Sequence, residues 1–346
     1  MSHPTSTLPK GMLHPLRMFQ RRQFLIVMAC FALIIFSGLA SLMTGEVYFS
    51  ASQVATALLQ PSDSLATFLV IELRLPRFLI ALFVGATLGM AGNIVQSITR
   101  NPLGSPDLMG VSAGASFAIV VCMAWSTFPP LALLSVGTIG GFSAGFVTFL
   151  IAWKTRLNPL HLTLSGMCIS LFFNAAIVVV LITAKADANG IYFWLTGSLM
   201  DRTWQHAVLL IPFAFLGLLL GVVFSKPLNL LMLEDITCES LGFPVHVWRV
   251  TLGFIAVVLT AATVSIAGPI SFVGLIAPHI TRLTLYNKRH IQCTDHRQSL
   301  PISALVGATL VCVADTLAKL HNVPVGILCV LVGGPLFVYL IKKKVE

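Results

Sequence analysis

Few residues in this chain could carry out chemistry. Twelve Asp and Glu are spread over 346 residues, and no two are spaced as a paired acid/base site. Asp315 is the one clear carboxylate inside a long apolar run, and His279 is flanked by Pro278 and Arg282. An acid so placed is read as bonding neighbouring backbone or hydroxyl groups, and the histidine as a packing residue. The seven cysteines are odd in number, scattered, and without CxxC spacing. In apolar runs a thiol acts as a small hydrophobe, which argues against a disulfide framework and a metal site. No GxxxxGK[ST] loop, HExxH or GxSxG occurs. The chain is therefore expected to be no enzyme, with no catalytic residue, metal or cofactor. If ATP drives it, another chain must bind the nucleotide.

The elements that hold these residues are membrane helices. Charged residues make up 10% of the chain and hydrophobic ones 57%, against about 25% charged in soluble domains. That is too little charge to coat a soluble globule. Apolar runs of about 20 residues can each span a bilayer. Such runs fall at 23–43, 77–98, 108–126, 130–153, 161–184, 206–225, 249–267, 270–286, 301–319 and 324–341. Only Gly268-Pro269 signals a turn within 249–286. The fold expected is all-α and polytopic, with ten transmembrane helices. Residues 1–22 form a cytoplasmic N-terminal segment and 23–346 one ten-helix domain.

Charge placement orients the chain. With both termini in the cytoplasm, sixteen of the 21 Lys and Arg fall inside and five outside, as the positive-inside rule requires. The net charge of +9 is thus read as topology, not nucleic-acid binding. The five outer cations are Arg74, Arg77, Lys185, Arg202 and Lys319. Gly85 and Gly89, and Gly137, Gly141 and Gly145, sit four apart, a spacing that lets helices approach closely. Ala91-Gly92 with Pro102 is echoed 176 residues later by Ala267-Gly268 with Pro278, a hint of inverted halves.

Two sets of motifs are more specific. The first is RLPR at 74–77 with RNPLGSPDLMGVSAGAS at 100–116. The second is GPISFVGLIAPHITR at 268–282, ADTLAKL at 314–320 and PVGILCVLVGGPLFVYL at 324–340. WLTGS at 194–198 adds to them. On these residues the chain resembles the iron-siderophore, haem and vitamin B12 permeases of ATP-binding-cassette (ABC) importers, most of all the ferric dicitrate and enterobactin types of Gram-negative bacteria. The resemblance spans nearly the whole chain. It implies a type II ABC importer permease with ten helices in inverted repeat, in the inner membrane, translocating a ferric siderophore. Its implied partners are a second permease, identical or related, two cytoplasmic ATPase subunits, and a periplasmic or lipid-anchored binding protein. Haem or vitamin B12 is the alternative cargo. An ion-coupled secondary transporter is the alternative class, but it would need several midplane carboxylates.

The resemblance also implies roles for particular residues. Arg74, Arg77 and Lys319 would dock the binding protein, although Lys319 stands where an arginine is common and lacks its planar fork. Asn101 and Leu103, in the turn between spans two and three, would narrow a cytoplasmic gate. The corresponding turn at Leu157-Asn158-Pro159-Leu160-His161 departs from the family pattern and is left unassigned. The segment 229–246 carries Glu234, Asp235 and Glu239 among leucines, and reads as a short helix ended by Gly242. Leu231, Glu234, Asp235, Glu239, Leu241 and Gly242 would couple it to an ATPase. Acids on that segment argue against a helix lying on lipid.

Overall fold

The computed structural model describes residues 10–125, 128–184, 188–285 and 295–345, and all regular structure among them is helical. The helices are α1 (Lys10–Met43), α2 (Ala51–Leu59), α3 (Leu65–Ile98), α4 (Val111–Trp125), α5 (Pro130–Trp153), α6 (Pro159–Thr183), α7 (Ala188–Leu195), α8 (Trp204–Val223), α9 (Ser225–Leu231), α10 (Asp235–Ser240), α11 (Val245–Ala267), α12 (Val273–Leu285), α13 (His296–His321) and α14 (Val325–Val345). Lys185, Lys288, Arg289 and Cys293 lie outside the described residues.

A helix covers each of the ten expected positions. Among the described residues, seven are long and apolar enough to cross a membrane, which makes this a multi-pass membrane protein. The other three are shorter: α4 and the apolar part of α14, Val325–Tyr339, and the 13-residue α12. Both α4 and α12 begin after irregular backbone. A 3₁₀ turn at Pro106–Met109 and a left-handed Gly110 precede α4. Gly268 (φ 70°) ends α11, and Phe272 (φ 70°) precedes α12. The expected turn at Gly268-Pro269 is therefore present.

The start of α3 is π-helical over Phe68–Arg74. Pro76 lacks an amide hydrogen and its ring crowds the preceding turn, and the wider turn just before it makes room. Further along, α3 crosses α13 so closely that a Cβ on Gly85 would lie 2.3 Å from the Gly307 carbonyl oxygen. Gly137, Gly141 and Gly145 of α5 face Ser265, Ala261 and Val257 of α11 in the same manner. Both glycine spacings thus serve helix packing.

The helix pairs repeat with their roles exchanged. α3 packs on α13 as α11 packs on α5; α4 lies on α5 as α12 lies on α13; α12 meets α3 as α4 meets α11. The 176-residue offset recurs where α3 meets α11, since Thr87 and Thr263 pair through their hydroxyls at 2.8 Å, but the two glycines of the echo play different parts. Gly92 sits mid-helix, facing Gly274 at a close crossing, whereas Gly268 terminates α11 in a left-handed conformation. The two glycines answer different demands, one steric and one conformational.

The segment expected to form one helix across 229–241 is two helices. α9 stops at Leu231, and α10 starts at Asp235. Leu231 is buried in the core with Leu228. Gly242 (φ 72°) then closes α10 with Phe243 N–H donating to the Cys238 carbonyl, a Schellman arrangement. Pro244 does not merely stop the helix; it caps α11.

Candidate functional site

Charged side chains gather at the two ends of α3, which Arg77 and Arg100 mark roughly 35 Å apart at 1.5 Å per residue.

At the first end, α1, α3 and α13 are tied together. Arg74 is buried. Its Nη1 donates to the carbonyls of Leu42 (2.7 Å) and Met43 (3.1 Å), and its Nη2 to that of Val47 (2.5 Å). The guanidinium also sits 4.8 Å from the Phe49 ring centroid. These donors satisfy the carbonyls left open where α1 ends. Arg77 Nη2 donates to Asp315 Oδ1 at 2.8 Å while Nε reaches both carboxylate oxygens. The Asp315 side chain is only 2% exposed. Asp315 was expected to bond backbone or hydroxyls; it pairs with an arginine 238 residues away, because the α3–α13 crossing brings the two into register. Lys319 Nζ donates to the Ser41 carbonyl at 2.7 Å. Arg74, Arg77 and Lys319 line one cavity of about 230 Å³, together with Arg202, Glu46 and Asp201. The three expected docking residues thus converge, but each already holds a partner within the chain.

At the second end, Asp235 lies between two arginines. Its Oδ1 accepts from Arg100 Nη2 (2.5 Å) and Arg249 Nη2 (3.0 Å), and its Oδ2 from Arg249 Nη1 (3.2 Å). Partial burial works against the charged carboxylate, but the two guanidiniums outweigh it and hold its pKa below the ordinary value. Arg249 is 0% exposed. It stands at the fifth position of α11, and the charge count takes it simply as one of the sixteen inner cations. A lone arginine beside an apolar run was the signal available. Glu234 and Glu239 are exposed and make no ion pair among the described residues. Met232, Leu233, Ile236 and Leu241 are exposed beside them, leaving an apolar face rimmed by acids. In the turn after α3, Asn101 Oδ1 accepts the Leu103 amide at 2.9 Å, and Leu103 is half exposed.

A further polar feature lies between α4 and α6. Asp107, Ser112, Ser116, Ser170, Asn174 and Tyr192 contribute to a cavity of about 620 Å³. Ser112 donates to Asp107 Oδ1 (2.6 Å) and Ser170 to the Asp107 carbonyl (2.9 Å). His279 is buried against Phe337, ring centroids 5.9 Å apart, as its packing reading required. The WLTGS loop positions backbone: Ser198 donates to the Ala267 carbonyl, and Gly326 to that of Gly197.

Comparison with known proteins gives a consistent result. The FecCD transport family matches residues 33–343. The chain is 38% identical over 280 residues to the Fe(3+) dicitrate transport system permease protein FecD of Escherichia coli, covering 80% of this chain and 86% of that protein. It is 37% identical over 279 residues to the Fe(3+)-citrate import system permease protein YfmD of Bacillus subtilis, covering 80% and 81%. A solved structure of an inward-facing conformation of a metal-chelate type ABC transporter superposes with a TM-score of 0.81 at 30% identity, over 92% of this chain and 99% of the other.

Proposed function

The chain belongs to the FecCD transport family, and on that premise we propose that it is one permease subunit of an ABC importer for a ferric chelate of citrate or siderophore type. The match of the family over residues 33–343 carries this reading, and the ferric-citrate systems of the two relatives support the cargo. Ten helices in one domain cross the inner membrane as inverted repeats, with both termini in the cytoplasm. The exchanged helix pairs and the sixteen-to-five charge bias favour that arrangement.

The ATPases supply the work, and the permease supplies contacts that differ between states. A second permease completes the pathway, which the hydroxyl-lined cavity near Asp107 would border. The Arg74 end faces outward. Four cations, Arg74, Arg77, Arg202 and Lys319, stand there against three carboxylates, Glu46, Asp201 and Asp315, and this slight positive excess meets the acids of a binding protein. The exposed apolar face of Met232, Leu233, Ile236 and Leu241, rimmed by Glu234 and Glu239, enters a groove of an ATPase subunit. Asn101 and Leu103 narrow the inner mouth. The test is uptake of radiolabelled ferric citrate by proteoliposomes holding the purified importer, with binding protein outside and ATP within. ATP-dependent accumulation of ferric citrate or a competing ferric siderophore is expected. Accumulation driven by a proton gradient without ATP would refute the reading.

A further inference from the structure

The two loops that follow α3 and α5 are built alike. Each holds the tripeptide Asn-Pro-Leu, at 101–103 and 158–160. In each, the asparagine Oδ1 accepts the amide two residues on, at 2.9 Å for Leu103 and 3.0 Å for Leu160. The helix before each ends in left-handed backbone without glycine, at Arg100 (φ 47°) and at Arg156 and Leu157 (φ 55° and 53°). The closing bonds also match, Asn101 N–H to the Gln96 carbonyl and Leu157 N–H to that of Ala152. Each turn presents an exposed leucine, Leu103 at 50% and Leu160 at 64%. Left-handed backbone at residues with a side chain is strained and persists where the surroundings hold it.

One carboxylate provides that hold for both turns. Arg100 is itself the left-handed residue of the first turn. Its guanidinium donates to Asp235 and, through Nε, to the Leu231 carbonyl at 2.9 Å. Arg249 donates to Asp235 and, through Nη1, to the carbonyl of left-handed Leu157 at 3.1 Å. Asp235 opens α10, and α10 buries only Cys238 of its own side chains. Packing gives that short helix little purchase on the bundle, which leaves the ionic links as its firmest attachment.

We propose that Asp235 is a yoke: it joins the segment that meets the ATPase to both Asn-Pro-Leu turns, so that displacement of α10 reaches the two turns together. This rests on the coupling reading of residues 229–242. Asp235 then acts as a positioning residue. Its neighbours Glu234 and Glu239 cannot replace it, because they are exposed and pair with no arginine among the described residues.

The test uses the assembled importer in proteoliposomes with Leu103→Cys or Leu160→Cys. Maleimide labelling of each cysteine is followed peptide by peptide by mass spectrometry, with and without ATP and vanadate. The key variant is Arg100→Gln, which leaves the buried Arg249 paired with Asp235, so no buried charge loses its counter-ion. With Arg100 present, nucleotide should change the labelling rate at both positions at least threefold. In Arg100→Gln the response at Leu103→Cys should vanish while that at Leu160→Cys persists. Uptake should fall at least tenfold, with ATP hydrolysis within twofold of normal, and Arg100→Lys should restore part of the uptake. A purely structural role would instead lower the amount of assembled complex and leave uptake per complex unchanged. An undiminished response at Leu103→Cys in Arg100→Gln would overturn the yoke. No response at either cysteine with Arg100 present would overturn the coupling reading and the yoke with it.

Discussion

The two ends of α3 use the same chemistry to different ends. At one, Arg77 and Asp315 join two long helices that already cross at contact distance through Gly85 and Gly307. The ion pair there reinforces packing, and Arg74 and Lys319 fasten the end of α1 to the same block. At the other, Arg100, Asp235 and Arg249 join a helix terminus, a six-residue helix and the start of α11. The six-residue helix buries only Cys238 in the core there, so charge supplements its packing. The first end is held by packing as well as by charge. In the proposed yoke the second transmits displacement, because a carboxylate 36% exposed can follow a partner that moves it. An exposed ionic contact can adjust as its partner shifts, whereas close-packed helices resist small displacements.

The largest effect expected of any change to this contrast comes from Asp315→Asn. It leaves the Arg77 guanidinium without its anion beside packed helices, a loss of roughly 3–5 kcal/mol for breaking a buried pair from one side. Thermal unfolding of the purified complex should show a sharply lower midpoint, and little assembled protein should accumulate. A near-normal midpoint would mean that the α3–α13 packing alone holds that end.

Gly242 gives the next test, at the opposite end. A Cβ there meets nothing within 4 Å of its own chain. Gly242→Ala therefore carries only the left-handed strain, about 1 kcal/mol, and should transport nearly normally. Gly242→Trp adds bulk where only a partner could be hit, and uptake should fall at least tenfold with ATPase binding weakened. Equal uptake by the two variants would remove the ATPase from this surface.

A smaller effect is expected for Lys319→Gln. All three docking cations hold internal partners, but Lys319 gives up only one hydrogen bond, to the Ser41 carbonyl, so its loss confuses docking with folding least. Removing the Lys319 charge should weaken binding-protein affinity about fivefold, near 1 kcal/mol, and flatten its dependence on salt. Unchanged affinity and unchanged salt dependence would free this end from a docking role.

The smallest effect is with pH. Asp235 has its carboxyl held below the ordinary value, against the effect of burial, by Arg249 and Arg100. A carboxylate of that kind stabilises the fold above its unfolded pKa of about 4, and the contribution is lost only as pH falls through the lower folded value. The difference in unfolding midpoint between Asp235→Asn and the unaltered protein should thus stay constant from pH 8 to pH 5. A difference that shrinks within that window would mean the carboxylate is not clamped.

Much of the architecture was legible because hydropathy and turn chemistry act locally. The apolar runs, the left-handed stop at Gly242, the turn at Gly268-Pro269 and the close-packing glycines are each written within a few residues. The split between α9 and α10 was less legible, because the burial of Leu231 depends on a core assembled from distant helices. The role of Arg249 as more than an inner cation was hidden for a related reason. Its partner Asp235 precedes it by 14 residues, but the fold of the intervening chain decides whether the two meet.

The sequence by itself determined a multi-pass helical protein of the FecCD family, and it marked Arg74, Arg77, Lys319, Asp235 and the Asn-Pro-Leu turn as residues of interest. Only the tertiary structure decided what each of them bonds to. The angle and register of the α3–α13 crossing set Arg77 against Asp315, and the packing of α9 and α11 set Arg100 and Arg249 around Asp235. Such pairings join residues up to 238 positions apart. Hydropathy fixes that a helix forms and which residues it contains, but the rotation of one helix against another follows from the whole set of side chains between them.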